Sequence, residues 1–296
     1  MSDSPHQGTS TRAAQWLVQN LPGRTLESFQ LGRPRTPDEC KVFATILSKV
    51  SPFVANLFEL ASRDLLNGEQ GWPAGSRWER QDPDFPDLVL RGEAGEIEAG
   101  VELKAWFPLA TEITGRFRES QAILRNTDCE LLVVAWLPEH VLWGRPEVIA
   151  AWAGPALSVA RDRDRHYFRP PGYLVLEPED TSRRTRNLQQ RNVEGRIFQG
   201  ESRELEKAKL SVRGWPGGTA YDTDSATQGR IRELVSRFTY RAETNFAKID
   251  RINHAPLEVF KRQVLQQVVC GKAVESWSAL FAEGTEAVFQ EVTRLS

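Results

Sequence analysis

The chain contains 296 residues, of which 40% are hydrophobic and 26% are charged, values that allow one large or two modest globular domains with a sizeable core. Its formal net charge of -2 neither supports nor excludes a nucleic-acid partner, because the local distribution of charge decides phosphate attraction. No run of apolar residues approaches the roughly 18 that a membrane-spanning helix needs, so we expect no membrane association.

Other signals taken over the whole chain favour a cytoplasmic protein without a nucleotide cofactor. The start of the chain lacks the basic-then-apolar pattern of a secretory signal. The three cysteines, Cys40, Cys129 and Cys270, are far apart and lack metal-ligand spacing, so we expect reduced thiols. The four histidines show neither metal spacing nor a nucleophile partner. There is no phosphate-binding glycine loop and no dinucleotide fingerprint, so we expect no dependence on ATP or NAD.

The first part of the chain predicts a tail followed by helices. Residues 1–12 are polar without an apolar period and predict a disordered tail, and residues 13–21 predict a short amphipathic helix. Thr36-Pro37-Asp38-Glu39 is a helix start, with a Thr cap, Pro in the first turn and acids at the positive end of the dipole. Apolar residues at helical spacing then continue to Asn67-Gly68 and are interrupted at Ser51-Pro52. This segment is either two consecutive helices or one kinked helix.

The middle of the chain alternates between strand and helix patterns. Residues 88–90 predict a short strand, residues 91–95 a turn, and residues 97–106 a strand that enters the core. Residues 111–125 have helical character, and residues 131–136 are a continuous apolar run typical of a strand buried on both faces. The order helix, strand, strand, helix, strand predicts an α/β fold with a central mixed sheet flanked by helices.

The second half of the chain is less regular. Residues 173–176 predict one more strand, and residues 231–296 are helical by pattern. We therefore expect four regions: a disordered tail at 1–12, a core with N-terminal helices at 13–180, a basic polar segment with a loop at 181–230, and a helical C-terminal region packed on the core at 231–296.

Three residues on two adjacent predicted strands carry the candidate chemistry. Pro86-Asp87 opens one strand, and Glu102-Leu103-Lys104 lies in the next. Residues two apart in a strand point to the same face, so Glu102 and Lys104 project together while Leu103 turns into the core. A hairpin between the strands can bring Asp87 beside Glu102. Two carboxylates and one ammonium then meet at one point, a set suited to metal-assisted phosphodiester hydrolysis.

This arrangement resembles the PD-(D/E)XK nucleases, in which Pro-Asp is followed by Asp or Glu, any residue, and Lys. The resemblance covers residues 86–104, and the predicted element order from Thr36 to Trp136 fits the restriction-endonuclease-like core of that family. It implies that Asp87 and Glu102 hold Mg²⁺ and that Lys104 serves the attacking water. The alternative is an ordinary surface salt bridge on a strand.

Further acidic residues lie near this motif in the sequence. Members of the family often add an acid from the helix before the first strand, which implies Glu59 as a third metal ligand, with Asn56 one turn before it on the same side. Glu59 lies off the apolar stripe, so the alternative is a solvated charge. Asp82 and Asp84 raise the local negative field, and we expect them to be peripheral.

Candidate DNA-binding residues fall in two segments. Residues 181–216 contain nine Arg and Lys against four Glu. Arg can bind guanine, and Asn or Gln can bind adenine, through two hydrogen bonds each, so this mixture suits base edges, although a solvated loop is the alternative. The helix after the motif is the second segment, and residues 161–165, with alternating charges, are a weaker candidate. The candidates are Arg116, Arg118, Gln121, Arg183, Arg184, Arg186, Asn187, Gln189, Gln190 and Arg191.

These patterns together favour one function. The chain has more material after Trp136 than a minimal nuclease of this class needs, which implies a recognition or dimerisation apparatus. The best specific interpretation is a type II restriction endonuclease, a homodimer that cuts double-stranded DNA at a short palindromic site. The alternatives are a DNA repair or modification-sensing nuclease with the same core, and a DNA-binding module without catalytic activity.

Overall fold

The computed structural model describes residues 8–81, 85–110, 113, 124–167, 174–176, 203, 206–207, 210, 240–242, 249 and 252–295. The chain divides into two compact units, the first within residues 1–114, 123–159 and 254–296, and the second within 115–122 and 160–253. None of the helices among the described residues combines the length and the apolar character needed to cross a membrane.

The helices and strands follow one another in an α/β order. They are, along the chain, α1 (Thr9–Asn20), α2 (Pro37–Gly68), β1 (Arg77–Arg80), β2 (Leu88–Arg91), β3 (Ile97–Trp106), a 3-10 turn (Pro108–Ala110), β4 (Cys129–Pro138), β5 (Pro146–Pro155), α3 (Ala156–Tyr167), β6 (Leu174–Leu176), β7 (Tyr240–Ala242), α4 (Ala255–Gln266), β8 (Val268–Val269), β9 (Lys272–Ala273), α5 (Val274–Glu283) and α6 (Thr285–Val292).

The first unit is built on a five-stranded mixed sheet in the order β1-β2-β3-β4-β5. Neighbouring strands are antiparallel except β3 and β4, which run parallel. The predicted α/β class with a helix-flanked mixed sheet is confirmed, as are the predicted strands β2, β3 and β4. The sequence did not indicate β1 or β5. Three of the four residues of β1 are charged, so this strand shows no apolar period.

Helix α1 begins earlier than the sequence predicted. It starts at Thr9, so the prediction of a tail as far as residue 12 is wrong for residues 9–12. The backbone N–H of Ser10 donates to Asp128 Oδ2 at 3.0 Å, and the Ser10 hydroxyl donates to Asp128 Oδ1 at 2.5 Å. Gly8 has no side chain to cap the helix, and the cap instead comes from Asp128, which is remote in sequence and therefore invisible to a local pattern.

Helix α2 is one continuous helix, which decides between the two predicted alternatives. The predicted Thr36 cap is confirmed, because the Thr36 side chain accepts a hydrogen bond from the Glu39 N–H at 3.2 Å. Pro52 lies inside the helix and is exposed. Cys40 and Leu47 before Pro52 and Val54 and Phe58 after it are all buried in the same hydrophobic core, so both halves of the helix pack on one core.

The two faces of the central sheet carry different residues. One face of the sheet packs in the main hydrophobic core, together with residues of α1, α2, α5 and α6. The sheet residues in this core include Leu103, Leu132, Val134 and Trp136. Leu103 is 1% exposed, so its predicted place in the core is confirmed. At the C-terminal end of β3, Trp106 contacts Phe260 of α4, with ring centroids 6.1 Å apart.

The C-terminal region is helical only in part. Helices α4, α5 and α6 confirm the prediction where they lie, but a strand at β7 and the β8–β9 hairpin were predicted as helix. Val268, which lies within the range predicted as helix, is in β8 and is 67% exposed. The turn between β8 and β9 places Cys270 and Gly271 at positive φ, and helical backbone cannot continue through such a conformation.

The second unit contains a two-stranded antiparallel sheet of β6 and β7. Strand β6 confirms the strand predicted at residues 173–176. The predicted helix at 111–125 and the basic segment at 181–216 fall almost wholly outside the described residues.

Candidate active site

The pairing of β2 with β3 brings the three motif residues together. Leu88 pairs with Val101, so Asp87, immediately before β2, lies opposite Glu102. Glu102 and Lys104 project from the same side of β3, as the strand period requires. The predicted convergence of Asp87, Glu102 and Lys104 is therefore present in the fold.

Hydrogen bonds connect the backbone and side chains of this cluster. Asp87 Oδ2 accepts from the Leu103 N–H at 2.7 Å, and Glu102 Oε2 accepts from the Asp87 N–H at 3.1 Å. Lys104 Nζ lies 2.5 Å from Glu102 Oε1 and 3.3 Å from Asp87 Oδ2, and it donates to the Leu103 carbonyl at 2.8 Å. An ammonium carries three donors, and these three acceptors match that number. Backbone groups of Asp87 and Leu103 thus form a hydrogen bond with each of the three side chains.

Burial gives Glu102 an unusual protonation equilibrium. Glu102 is 5% exposed, and this burial raises its pKa to about 7, with the charge of Asp87 adding to the effect and Lys104 opposing it. A carboxyl group that titrates near neutral pH is common at functional sites, although structural ion pairs also show such shifts.

Lys104 is held in its charged form. Burial by itself lowers the pKa of a lysine, but the carboxylates of Glu102 and Asp87 outweigh that effect, and the pKa of Lys104 is raised above its ordinary value. Lys104 is consequently a protonated hydrogen-bond donor. Only 18% of the Lys104 side chain is exposed, and Lys104 has two acidic partners. The cluster therefore differs from the ordinary surface salt bridge that the sequence left as an alternative.

Glu59 lies at the border of this cluster and is paired with a residue that the sequence did not single out. It is 8% exposed, so the interpretation of Glu59 as a solvated charge is wrong. Its Oε2 accepts from Arg80 Nε at 2.6 Å, and Arg80 also donates to Asn56 Oδ1. Burial raises the pKa of Glu59, as does Asp87, while Arg80 and Lys104 lower it. No sequence pattern pointed to Arg80, because three of the four residues of β1 are charged.

Residues 161–165, the weaker DNA-binding candidate, lie in α3, and their role stays a prediction. The remaining predicted site residues fall outside the described part of the chain, and their roles stay predictions too. Asp82 and Asp84 are among them. So are all ten candidate DNA-binding residues: Arg116, Arg118, Gln121, Arg183, Arg184, Arg186, Asn187, Gln189, Gln190 and Arg191.

The oxygen atoms of the cluster suit a hard divalent cation. Among the side chains that the structure describes, no group of three or more His, Cys, Asp and Glu residues is arranged to hold a metal ion. Magnesium, however, keeps several waters and needs only one or two carboxylates, and Asp87 and Glu102 supply two. The Leu103 carbonyl, which accepts from Lys104 Nζ, adds another hard oxygen at the same point. The donor set therefore fits Mg²⁺ and lacks the soft ligands that zinc sites use.

Comparison with models of known protein families finds no match to this chain, and comparison with curated proteins finds none either.

Proposed function

We propose that this protein is a magnesium-dependent endonuclease of the PD-(D/E)XK class that hydrolyses phosphodiester bonds of double-stranded DNA. The observation that carries the proposal is the meeting of Asp87, Glu102 and Lys104 on adjacent strands, with Lys104 Nζ within 3.3 Å of both carboxylates. The order Pro-Asp, then Glu, one apolar residue and Lys is that of the family motif.

The roles of the residues follow from their chemistry. Asp87 and Glu102 would hold Mg²⁺, and the backbone hydrogen bonds from Leu103 and Asp87 orient their carboxylates for that task. When bound, Mg²⁺ supplies charge neutralisation at the phosphate and a water of lowered pKa. Lys104, which carries a proton, would orient the attacking water or stabilise the negative charge that develops on the phosphate.

The finer function that we propose is that of a type II restriction enzyme. A homodimer presents two identical sites related by a two-fold axis, and a palindromic DNA site has the same symmetry. The mixture of arginine and amide residues within 181–216 is suited to binding base edges. A nuclease that recognises the shape of its DNA substrate and not its sequence would not require such residues. A DNA repair or modification-sensing nuclease would share the same three site residues.

A plasmid-cleavage assay tests this proposal. We expect the purified full chain to cut plasmid DNA in the presence of Mg²⁺, to leave it intact in EDTA, and to give discrete fragments if recognition is specific. Asp87→Ala and Glu102→Ala should each abolish cleavage, while their melting temperatures show whether the fold is retained.

The outcomes separate the alternatives. Cleavage without discrete fragments would favour a repair nuclease over a restriction enzyme, and discrete fragments only from methylated DNA would favour a modification-sensing one. DNA binding without cleavage under any metal condition would indicate a binding module. Full cleavage by Asp87→Ala or Glu102→Ala would contradict the proposed active site. A mass of one chain in solution, with and without DNA, would contradict the proposed homodimer.

A further inference from the structure

Gln81 lies directly opposite Asp87, one residue beyond the end of β1. In the antiparallel pair of β1 and β2, Arg80 pairs with Leu88. The next pair in the same register is Gln81 and Asp87, and the Gln81 N–H donates to the Asp87 carbonyl at 2.8 Å. Residues opposite each other in an antiparallel pair share one face of the sheet. Gln81 is therefore a direct neighbour of the candidate active site.

Both ends of the Gln81 side-chain amide form hydrogen bonds. Its Nε2 donates to the Pro86 carbonyl at 3.2 Å, and its Oε1 accepts from Arg91 Nη2 at 3.0 Å. A carbonyl only accepts and a guanidinium only donates, so a single orientation of the amide satisfies both partners. Arg91 is itself held, because it also donates to Glu79 Oε2 at 3.0 Å and to the Gly95 carbonyl at 3.1 Å. These contacts fix the direction of the Gln81 amide.

Gln81 holds the backbone on both sides of Asp87. The Pro86 carbonyl and the Asp87 N–H belong to one peptide group, in which Gln81 binds the carbonyl and Glu102 Oε2 binds the N–H. The Asp87 carbonyl belongs to the next peptide group and accepts from the Gln81 N–H. Two of these three bonds thus come from Gln81. Because peptide groups are planar, holding both of them restricts the Cα atom that carries the carboxylate.

The contact of Asp87 with β3 reports where its carboxylate lies. Asp87 Oδ2 accepts from the Leu103 N–H at 2.7 Å, and Lys104 Nζ lies 3.3 Å from the same oxygen. Leu103 is 1% exposed, so its N–H needs a partner within the protein. If the Asp87 carboxylate moves away, the Leu103 N–H loses that partner and exchanges faster with solvent.

We propose that Gln81 is a positioning residue of the candidate active site, which holds the backbone around Asp87 so that its carboxylate stays on the Leu103 N–H. The inference rests on the proposed function, in which the Asp87 carboxylate holds Mg²⁺. The role is indirect, because Gln81 acts through Asp87 and not on the reacting atoms.

Amide hydrogen exchange of the metal-free full chain, followed by NMR, tests the positioning role without cation or DNA. Gln81→Met keeps the length of the side chain and removes both of its hydrogen bonds. We expect the ratio of the Leu103 exchange rate to that of Val134 in β4 to increase about two- to tenfold, the range that corresponds to one lost hydrogen bond. A purely structural loss of stability would accelerate exchange at both amides alike and leave the ratio unchanged.

Asn67→Leu is the matched control, because the Asn67 amide also uses both of its ends on β1. Its Nδ2 donates to the Trp78 carbonyl at 2.8 Å, and its Oδ1 accepts from the Trp78 N–H at 3.0 Å. This variant loses two hydrogen bonds at a residue that pairs with Leu90 and not with the residues around Asp87. We expect the wild-type ratio of exchange rates for it.

Gln81→Glu separates the two ends of the amide. At neutral pH the carboxylate still accepts from Arg91, but it has no donor for the Pro86 carbonyl. We expect the same increase in the ratio of exchange rates as in Gln81→Met. This variant also takes the place of Gln81→Met if the latter gives no cooperative melting curve, because it keeps the contact with Arg91.

Calorimetric titration of Mg²⁺ into the same samples measures the consequence for the cation. We expect Gln81→Met to bind Mg²⁺ about tenfold more weakly, the lower end of the range for residues that hold a ligating side chain in place. Asn67→Leu should bind Mg²⁺ with wild-type affinity.

Each result has a defined meaning. A wild-type ratio of exchange rates in Gln81→Met or Gln81→Glu, or an equal increase in Asn67→Leu, would overturn the positioning role, and DNA cleavage by the wild type would then keep the nuclease function. An increased ratio with wild-type Mg²⁺ affinity would also overturn it, because Asp87 would bind the cation without this support. If the wild type neither binds Mg²⁺ nor cuts DNA, the proposed function fails, and the exchange rates alone decide whether Gln81 positions Asp87.

Discussion

At the scale of single residues, Lys104 is the group whose environment constrains the chemistry most. Its ammonium contacts Glu102, Asp87 and the Leu103 carbonyl, and the two carboxylates keep it protonated. A protonated lysine cannot accept a proton from water, so these contacts favour water orientation and charge stabilisation over general base catalysis.

Replacement of Lys104 tests this assignment. We expect Lys104→Ala to bind Mg²⁺ and DNA but to cleave more slowly by about 10²–10³-fold, the usual loss when one donor that stabilises developing charge is removed. Lys104→Arg should not restore the rate, because the broad guanidinium cannot copy a compact ammonium. Single-turnover cleavage measures the effect. Lys272→Ala, which removes a lysine 3.3 Å from Glu291, is the control and should cleave at the wild-type rate.

Glu102 predicts a pH dependence of cation binding. Its pKa is raised to about 7, chiefly by burial, and only the ionised carboxylate binds Mg²⁺. The ionised fraction increases with pH, so Mg²⁺ binding without DNA should be about tenfold weaker at pH 6 than at pH 8. Calorimetric titration across this range measures the change, and an affinity that does not vary with pH would contradict the raised pKa.

The same shift has a consequence for stability that Glu102→Gln isolates. A carboxyl with a higher pKa in the folded than in the unfolded chain binds more protons when folded. The ordinary pKa of this carboxyl group is 4.5, and its pKa in the folded protein is about 7. The free energy of unfolding of the metal-free protein should therefore decrease as the pH rises between these two values. Glu102→Gln cannot titrate at this position, so its melting temperature should fall less over the same range.

At the scale of secondary-structure elements, the β2–β3 hairpin depends on a close approach between Gly100 and Pro86. Gly100 pairs with Val89, and a Cβ atom added to it would overlap Pro86 Cγ. A proline ring cannot move away as a flexible side chain can. Because Pro86 precedes Asp87 directly, any accommodation shifts the carboxylate that the hairpin places opposite Glu102.

We therefore expect Gly100→Ala to lower both stability and cleavage. A clash in a packed site typically costs about 1–3 kcal/mol, and displacement of Asp87 should reduce cleavage further than the loss of folded protein explains. Gly92→Ala is the matched control on the same hairpin, because the atoms nearest to a Cβ there belong to the carboxylate end of the exposed Glu96 side chain, which can move. Thermal melting and cleavage assays of both variants measure these effects. Equal losses of stability and of cleavage in the two variants would contradict the predicted clash between residue 100 and Pro86.

At the scale of the whole molecule, the proposed recognition of DNA makes a prediction about the basic polar segment. The candidate residues within 181–216 rest on the sequence alone. If this segment reads bases, Arg186→Ala and Gln189→Ala should each weaken binding to the cognate site by roughly 1–3 kcal/mol, with little change in non-specific affinity. If it holds phosphate only, Arg186→Ala should weaken binding to all sequences and reduce the salt slope by about one, while Gln189→Ala should leave that slope unchanged.

Binding measured in calcium at several salt concentrations, on cognate and scrambled duplexes, distinguishes these cases. Unchanged affinity of both variants for both duplexes would remove the segment from the interface. Arg116, Arg118 and Gln121, which follow β3 in the sequence, would then be the next residues to replace.

The sequence alone determined the parts of the fold that depend on short periods. Alternation along β3 was enough to place Glu102 and Lys104 on one side and Leu103 in the core, because strand geometry has a period of two wherever it occurs. The Thr36 cap and the apolar run of β4 were equally local signals. These features require only neighbours in the chain, and the candidate active site was predictable to that extent.

Only the tertiary structure decided the contacts that join distant segments. Asp128 caps α1 from 118 residues away, so no local pattern distinguished residues 9–12 from a tail. The contact of Arg80 with Glu59 spans 21 residues and two elements, one of which is a charged strand without an apolar period. The raised pKa of Glu102 likewise depends on burial, which is a property of the packed sheet and helices rather than of the motif.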